Sequence, residues 1–498
     1  MQLQFDKATL PMLKPVKWEI KNVEQTQELR INDGMPDIGR VLGVWGQVIL
    51  RTKEWQRNSA GVNGGVQASV LYIPEDGEDV QMVETWIPFQ VKWDLPQMDT
   101  EGVVCVSCLL RSADGRNTSS RKILVRVNVG VCGQLWEPGE LRQYMPPELP
   151  EDVCLLKQTQ VVCIPRETGE KAFSLEEELV LPGSAPKIGK ILHYHLQPEL
   201  IEQKIMSDKV VFRGSALFHM LYRGEDGGLH TWDFELPFSQ YGELNHEYEQ
   251  GTTARLVMAV TGLEAELDVE GRVQLKAGLV GQYLICQDTQ IELVKDAYSP
   301  RRLISPVMET VCLFAMKDTL HQNISAEQTV QLQGIPIDTS FYPDHPYPQQ
   351  IGGSTVLQMM GQFLSLFQDN EGQYRTAISR WEEQSTIAED DTPQILARVD
   401  VTGKPNCVAD GTGMTIGAEI LADIMLGAQQ EVLSVAAVEV AELTEPDPDR
   451  PSLILRRMGE DSLWDLAKSS GSTVEAIMEA NQLETPLAPD CMLLIPVL

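Results

Sequence analysis

Positive charge is scarce in this chain: 40 Lys plus Arg stand against 72 Asp plus Glu, a formal net charge of −32 over 498 residues. A field of that sign repels phosphate backbones and anionic headgroups, which makes nucleic acid and bare membrane poor partners. Long apolar runs are missing too, and none approaches the roughly 20 residues that a membrane-spanning helix needs. The opening MQLQFDKATLPMLKPVKWEI has no basic start followed by an apolar stretch. No secretory signal is read there, and the protein is expected to begin in the cytosol. Nine scattered cysteines fit that compartment better than a disulfide-stapled secreted module.

Signatures of catalysis are also lacking. There is no G-x-x-x-x-G-K-[ST], G-x-S-x-G or G-x-G-x-x-G, so phosphate-cradling loops and the esterase elbow have no support. Cys105 and Cys108 form a C-x-x-C, but GVVCVSCLLRS reads as a strand, where residues three apart face opposite ways. Structural cysteines are expected there. His193 and His195 share a strand face and could meet a metal edge-on, yet no third ligand is identifiable. The adjacent Glu382 and Glu383 do not form a glycosidase pair. The acidic stretches 75–79 and 388–391 lack the ligand alternation of an EF-hand loop and read as solvated surface. No enzyme activity, cofactor or metal is expected.

What is present is a globular composition, 43% hydrophobic and 22% charged. At about 100–200 residues per domain the length suggests about three to four units. PDIGRVL at 36–42 returns as PKIGKIL at 186–192, and LYIPEDG at 71–77 as LYRGEDG at 221–227, both 150 residues on. A shared offset across separated matches marks two copies of one domain. WIPF at 86–89 and ELPF at 235–238 are one residue out of step, which one loop deletion explains. A more worn third copy runs through GQFLSLFQDNEG at 361–372, with Phe367 in the place of Tyr72 and Tyr222.

Within each copy, runs such as VQASVLYI, VETWIPFQV and KILVRVNVGV are rich in β-branched and aromatic residues and are bounded by DG or EG turns. Alternation puts Ile123, Val125, Val127, Val129 and Val131 on one face. Each copy is therefore read as an antiparallel β-sandwich, with Pro74, Pro88 and Pro237 at its turns. These repeats resemble the SPOCS domain of spore-coat proteins over roughly 25–440, with copies expected at 25–140, 174–290 and, divergent, 300–443. That resemblance implies assembly of a spore envelope layer and carries no catalytic residues.

TEPDPDRPS at 444–452 is proline-rich and acidic, an extended linker over 444–451. Beyond it, 452–498 predicts a β-α-α-β module in the otherwise mainly β chain: a strand at 453–458, a helix capped by Ser462 with Asp465, a stop at Gly471, a second helix capped by Ser472 with Glu475, and a closing strand at 492–496. DSLWDLA, VEAIMEAN and LLIP resemble the LysM domain. Such modules bind N-acetylglucosamine glycans in a shallow groove, and the resemblance places that groove at Glu460, Asp461, Ser462, Leu463, Trp464, Asn481, Leu483, Pro489 and Asp490. Glu460 and Asp490 stand where the pattern has glycine, which puts carboxylates beside the groove and leaves both glycan and protein open as its ligand. For Trp464, packing and sugar stacking are both open.

SPOCS-like repeats followed by one LysM resemble the SipL family of spore-coat morphogenetic proteins. The resemblance implies an adaptor that binds a coat ATPase of the SpoIVA type at the forespore surface, in the mother-cell cytosol. The alternatives are a peptidoglycan-binding wall or cortex protein and, more remotely, a LysM-targeted hydrolase.

Overall fold

The computed structural model describes residues 1–498 except 78, 98–99, 250, 332, 389–393, 410–412, 444–449, 458–460 and 483–491. Most of the acidic stretch 388–391 and of the linker 444–451 therefore lies outside the described residues.

Alternating burial drives the first unit into two antiparallel sheets. Ile38–Gln56, Ser59–Pro74 and Gln81–Asp94 make one; Asp6–Arg30, Lys122–Met145 and Val103–Ser119 make the other, with Lys122–Met145 central. Ile123, Val125, Val127, Val129 and Val131 are all fully buried, which is the face the alternation predicts. The second unit repeats the plan with Cys154–Leu179, Val273–Tyr298 and Thr252–Leu267 against Ile188–Gly224 and Leu229–Tyr248. The 37-residue strand Ile188–Gly224 folds back on itself. Ser207, 150 residues after Arg57 in the first unit's turn, has φ 55. A Cβ on Gly214 would strike the Glu199 carbonyl, as one on Gly64 would strike that of Ile49.

In the third set of strands, Ile304–Val330, Met414–Val440 and Gln394–Ala409 form one sheet, and Ser354–Gln368 pairs with Tyr374–Ala388 along one edge. Its other edge is shared by Ile335–Pro343 and Tyr347–Ile351, interrupted at Asp344, His345 and Pro346.

The repeated motifs meet in space. The Tyr72 hydroxyl donates to the Pro36 carbonyl (3.1 Å) and the Tyr222 hydroxyl to that of Pro186 (3.2 Å). The Glu75 and Glu225 amides donate to Asp37 and Lys187 carbonyls, both at 2.9 Å. The turn recurs in the third set, where Gly372 N donates to Asp369 O (2.9 Å) as Gly227 N does to Gly224 O (3.0 Å). Phe367 thus stands where Tyr222 stands, without the hydroxyl. Tyr72→Phe and Tyr222→Phe should each cost about 1 kcal/mol, the net worth of one hydrogen bond, and should add because the sites are separate. Urea unfolding measures this; no loss in either variant would refute the clamp.

Two expectations need correction. Pro88 and Pro237 are not at turns: they lie inside Gln81–Asp94 and Leu229–Tyr248, opposite Gly65 and Ser215. Both are edge strands, where the missing N–H is needed by no neighbour. The runs are also far longer than they read. Asp6 pairs with Met145 and Cys154 with Tyr298, so the strands continue past 25–140 and 174–290. In each unit the first and last strands extend as a two-stranded ribbon, and the three ribbons bury a joint core that includes Trp136, Leu293, Phe314 and Val438. Trp18 packs edge-on against Trp136 and Phe314 at 5.5 and 5.4 Å.

The three units form a closed ring. Gln282 pairs with the Val106 backbone, accepting from its N–H (3.0 Å) and donating to its carbonyl (2.8 Å). Gln197 donates to Val401 O (2.7 Å), and Arg40 to Tyr374 O (2.8 Å). The N-terminal strand Gln2–Gln4 pairs with Met414–Val440, fastening the start of the chain to the third unit.

Candidate functional site

The carboxyl-terminal module starts from local chemistry. Leu453–Arg457 and Met492–Pro496 pair antiparallel and enclose helices α1 (Leu463–Ser470) and α2 (Val474–Asn481). Ser462 Oγ accepts from Asp465 N (3.2 Å) while the Asp465 carboxylate accepts from Ser462 N (3.3 Å), the reciprocal cap expected. Gly471 ends α1 at φ 62. The cap of α2 is Thr473 rather than Ser472: its hydroxyl accepts from Ala476 N (3.1 Å). Ser472 is fully buried, and its carbonyl serves another contact described below.

Of the groove residues, Glu460, Leu483, Pro489 and Asp490 lie outside the described residues. Asp461 is exposed and pairs with Arg456 at 2.9 Å, and Ser462 is exposed at the helix cap. Leu463 is half-buried against the module core. Asn481 is tied to the closing strand, donating to Leu494 O (2.6 Å) and accepting from Leu494 N (2.7 Å). Its amide is thus committed to holding the fold.

Trp464 faces the second unit. Its ring meets Tyr298 edge-on at 4.7 Å, and its indole N–H donates to Asp296 Oδ2 (2.8 Å). Lys468 reaches the same oxygen at 2.7 Å, and the Tyr298 hydroxyl donates to Ser472 O (3.0 Å). Burial alone would raise the Asp296 pKa, but hydrogen bonds from Lys468 and Trp464 hold it below the usual carboxylate range. The module is therefore docked on Asp296–Tyr298 through α1, with Tyr298 part of its core.

A second polar cluster occupies the junction of the three units. His193 and His195 do share a strand face, with rings stacked 5.6 Å apart, and His195 next meets His219 at a tilt, 4.9 Å away. His219 Nδ1 bonds Asp233 Oδ1 (2.6 Å), and its Nε2 lies 3.1 Å from buried Asp338 of the third unit. Lys404 completes the set on Asp233 Oδ2 (2.7 Å). Sequence reasoning missed His219, Asp233, Asp338 and Lys404, because they come from distant segments with no motif. Nearby, segments of all three units, among them Gln47, Gln197 and Tyr342, line a cavity of about 180 Å³.

Cys105 and Cys108 are separated as their spacing requires. Cys105 Sγ lies 3.3 Å from Thr168 Oγ1, while Cys108 packs on the first unit's core, where burial pushes its pKa up to about 12. A thiol in that state is a poor nucleophile and a poor metal ligand. Among the described residues no group of three or more His, Cys, Asp or Glu is arranged to hold a metal ion.

Comparison with known families matches parts of the first two units and of the carboxyl-terminal module. Two stretches, 37–114 and 187–268, match the SipL, SPOCS domain. Residues 460–496 match the LysM domain. The chain is thus a sporulation-related protein carrying a module of the peptidoglycan-binding type. No curated protein and no solved structure matches it. Among the described residues no helix is long and apolar enough to cross a membrane.

Proposed function

We propose that this chain is a non-enzymatic adaptor of spore-coat assembly, binding a coat ATPase of the SpoIVA type at the forespore surface through its LysM module. The observation that carries this reading is the orientation of Trp464. The aromatic side chain best suited to stack on a sugar is packed on Tyr298, with its N–H held by Asp296. Asn481 is likewise engaged by the closing strand. What the described part of the groove offers a ligand is Asp461 and Ser462, a polar, acid-bearing edge suited to protein contacts. Docking to the ring of β units makes the module one face of a rigid scaffold, so several weak contacts could act together.

The LysM match itself favours the second reading, an N-acetylglucosamine glycan such as peptidoglycan as the ligand. A fluorescent fusion in sporulating cells separates the two. The adaptor reading expects a shell at the forespore surface that disperses when the coat ATPase is deleted; a shell that persists without it would sink that reading.

A further inference from the structure

The hairpins of the first two units are alike but meet their neighbours differently. In the first, Arg51 donates to Thr261 O of the second unit (3.3 Å), and Lys53 Nζ reaches Glu170 Oε2 (2.5 Å) and Gln282 Oε1 (2.9 Å). Two cationic side chains thus close that interface. The cross-strand pair Glu170 and Gln282 has its counterpart in the third unit in His321 and Asp423, since Gln282 and Asp423 stand equally far from the starts of their strands.

The residues 150 on from Arg51 and Lys53 are Ile201 and Gln203. Ile201 is 72% exposed, and among the described residues Gln203 makes no hydrogen bond to the third unit. Instead of a closed contact there is a groove of about 1140 Å³ between residues 198–205 and the third unit. Its floor is apolar at Leu256, Met258 and Leu421, and its lining is acidic at Glu199, Glu202, Glu249 and Asp400, against Lys204, Arg255, Arg398 and His321. The carboxylate of Asp423 is buried at its base. Arg398 Nε holds Oδ2 (3.0 Å), but Oδ1 has no hydrogen-bond partner, with Arg255 Nη1 3.6 Å away and His321 Nδ1 3.4 Å away. Among the described residues Ile188–Gly224, beyond its own hairpin, pairs with Leu229–Tyr248 and with no other strand, so the edge at 198–205 keeps unpaired backbone groups beside the groove.

We propose that this groove takes an extended segment of a partner protein, alternating apolar and Lys or Arg residues, which adds as a strand beside residues 198–205. Its basic side chains would meet the acidic lining as Arg51 and Lys53 meet the second unit, and its apolar ones the floor; main-chain bonds to the edge give affinity and the alternation gives specificity. The chain's net charge of −32 favours encounter with a cationic segment. The inference is independent of which ligand the LysM module takes.

The test is fluorescence anisotropy of the full chain at 150 mM salt with a labelled octapeptide alternating Val and Lys, beside one of the same composition in two blocks, Lys then Val. At least tenfold preference for the alternating peptide is expected. Glu249→Lys and Ile201→Pro should each weaken it tenfold or more, while Glu148→Lys, exposed in the connection between the first two units, leaves it unchanged. Glu249→Lys keeps the test valid if Ile201→Pro perturbs folding. Equal binding of both peptides, or equal loss with Glu148→Lys, would reduce the effect to bulk charge and overturn the proposal. A dimer of the free chain that Ile201→Pro dissolves would make a second copy the occupant, and would overturn it too.

Discussion

Asp338→Asn is expected to destabilise the protein by about 3–5 kcal/mol at neutral pH, the cost of removing one partner from a buried ion pair. His219 is 3% exposed and lies between Asp233 and Asp338. Burial alone would depress its pKa, yet Asp338 and Asp233 carry it up to about 9, so the ring is charged at neutral pH. Asp338, which burial would raise, is held well below the usual carboxylate range by His219. Asparagine leaves a buried imidazolium with one carboxylate, already engaged by Lys404.

The same cluster sets a pH profile. His219 has a folded pKa above its unfolded value of about 6.5, so its contribution is complete below that pH and is lost as pH rises through about 9. His195 is lowered to about 3, by burial first and then by His219, and His193 is lowered by burial. Their contributions are complete above about 6.5 and are lost as pH falls below it. Stability should therefore peak near pH 6.5, with each group changing it by about 1.4 kcal/mol per pH unit inside its window. Denaturant unfolding from pH 5 to 10 measures both limbs. Asp338→Asn should flatten the alkaline limb; an unchanged alkaline limb would show that His219 is not charged through Asp338.

Tyr298→Ala should release the LysM module. Tyr298 is 4% exposed, contacts Trp464 at 4.7 Å and donates to Ser472 O. It packs with Leu466, Ala467, Ile477, Leu493 and Ile495, so the module's small core is completed by a residue of the second unit. Removing a buried aromatic ring costs about 3–5 kcal/mol, and here the loss falls on docking. Hydrogen exchange should then accelerate across α1 and α2 while Lys122–Met145 keeps its protection, and calorimetry should resolve a separate low-temperature transition. Unchanged exchange in both helices would contradict the docked arrangement.

How far the sequence could be read follows from where each constraint lies along the chain. The 150-residue repeat was visible because Pro36 and Tyr72, or Pro186 and Tyr222, are bound by one local clamp whose residues and spacing must persist together. The module's first helix was visible because a capping box is written in four consecutive residues, Ser462 to Asp465. The second cap is misplaced by one: Ser472 heads the capping-box pattern with Glu475 and Thr473 does not, yet burial of Ser472 beneath Tyr298 leaves Thr473 to cap the helix by its hydroxyl alone. The ribbons were hard to place because the residues that complete the core around each come from the other two units, far away along the chain. The groove assignment was legible only by resemblance. That Trp464 turns toward Asp296 depends on contacts about 170 residues away, which no local pattern records. His193 and His195 are legible as a pair, but their partner His219 lies on the returning arm of the folded-back strand Ile188–Gly224 and its counter-ion Asp338 comes from another unit.

The ligand of the LysM module is decided by quantitative co-sedimentation of the full chain with purified peptidoglycan in one arm and with the SpoIVA-type coat ATPase in the other, each repeated with Asp461→Lys. Retention by the ATPase, at least tenfold weaker for Asp461→Lys, is expected, with none by peptidoglycan. Retention by peptidoglycan alone would contradict that expectation and make the module a wall anchor.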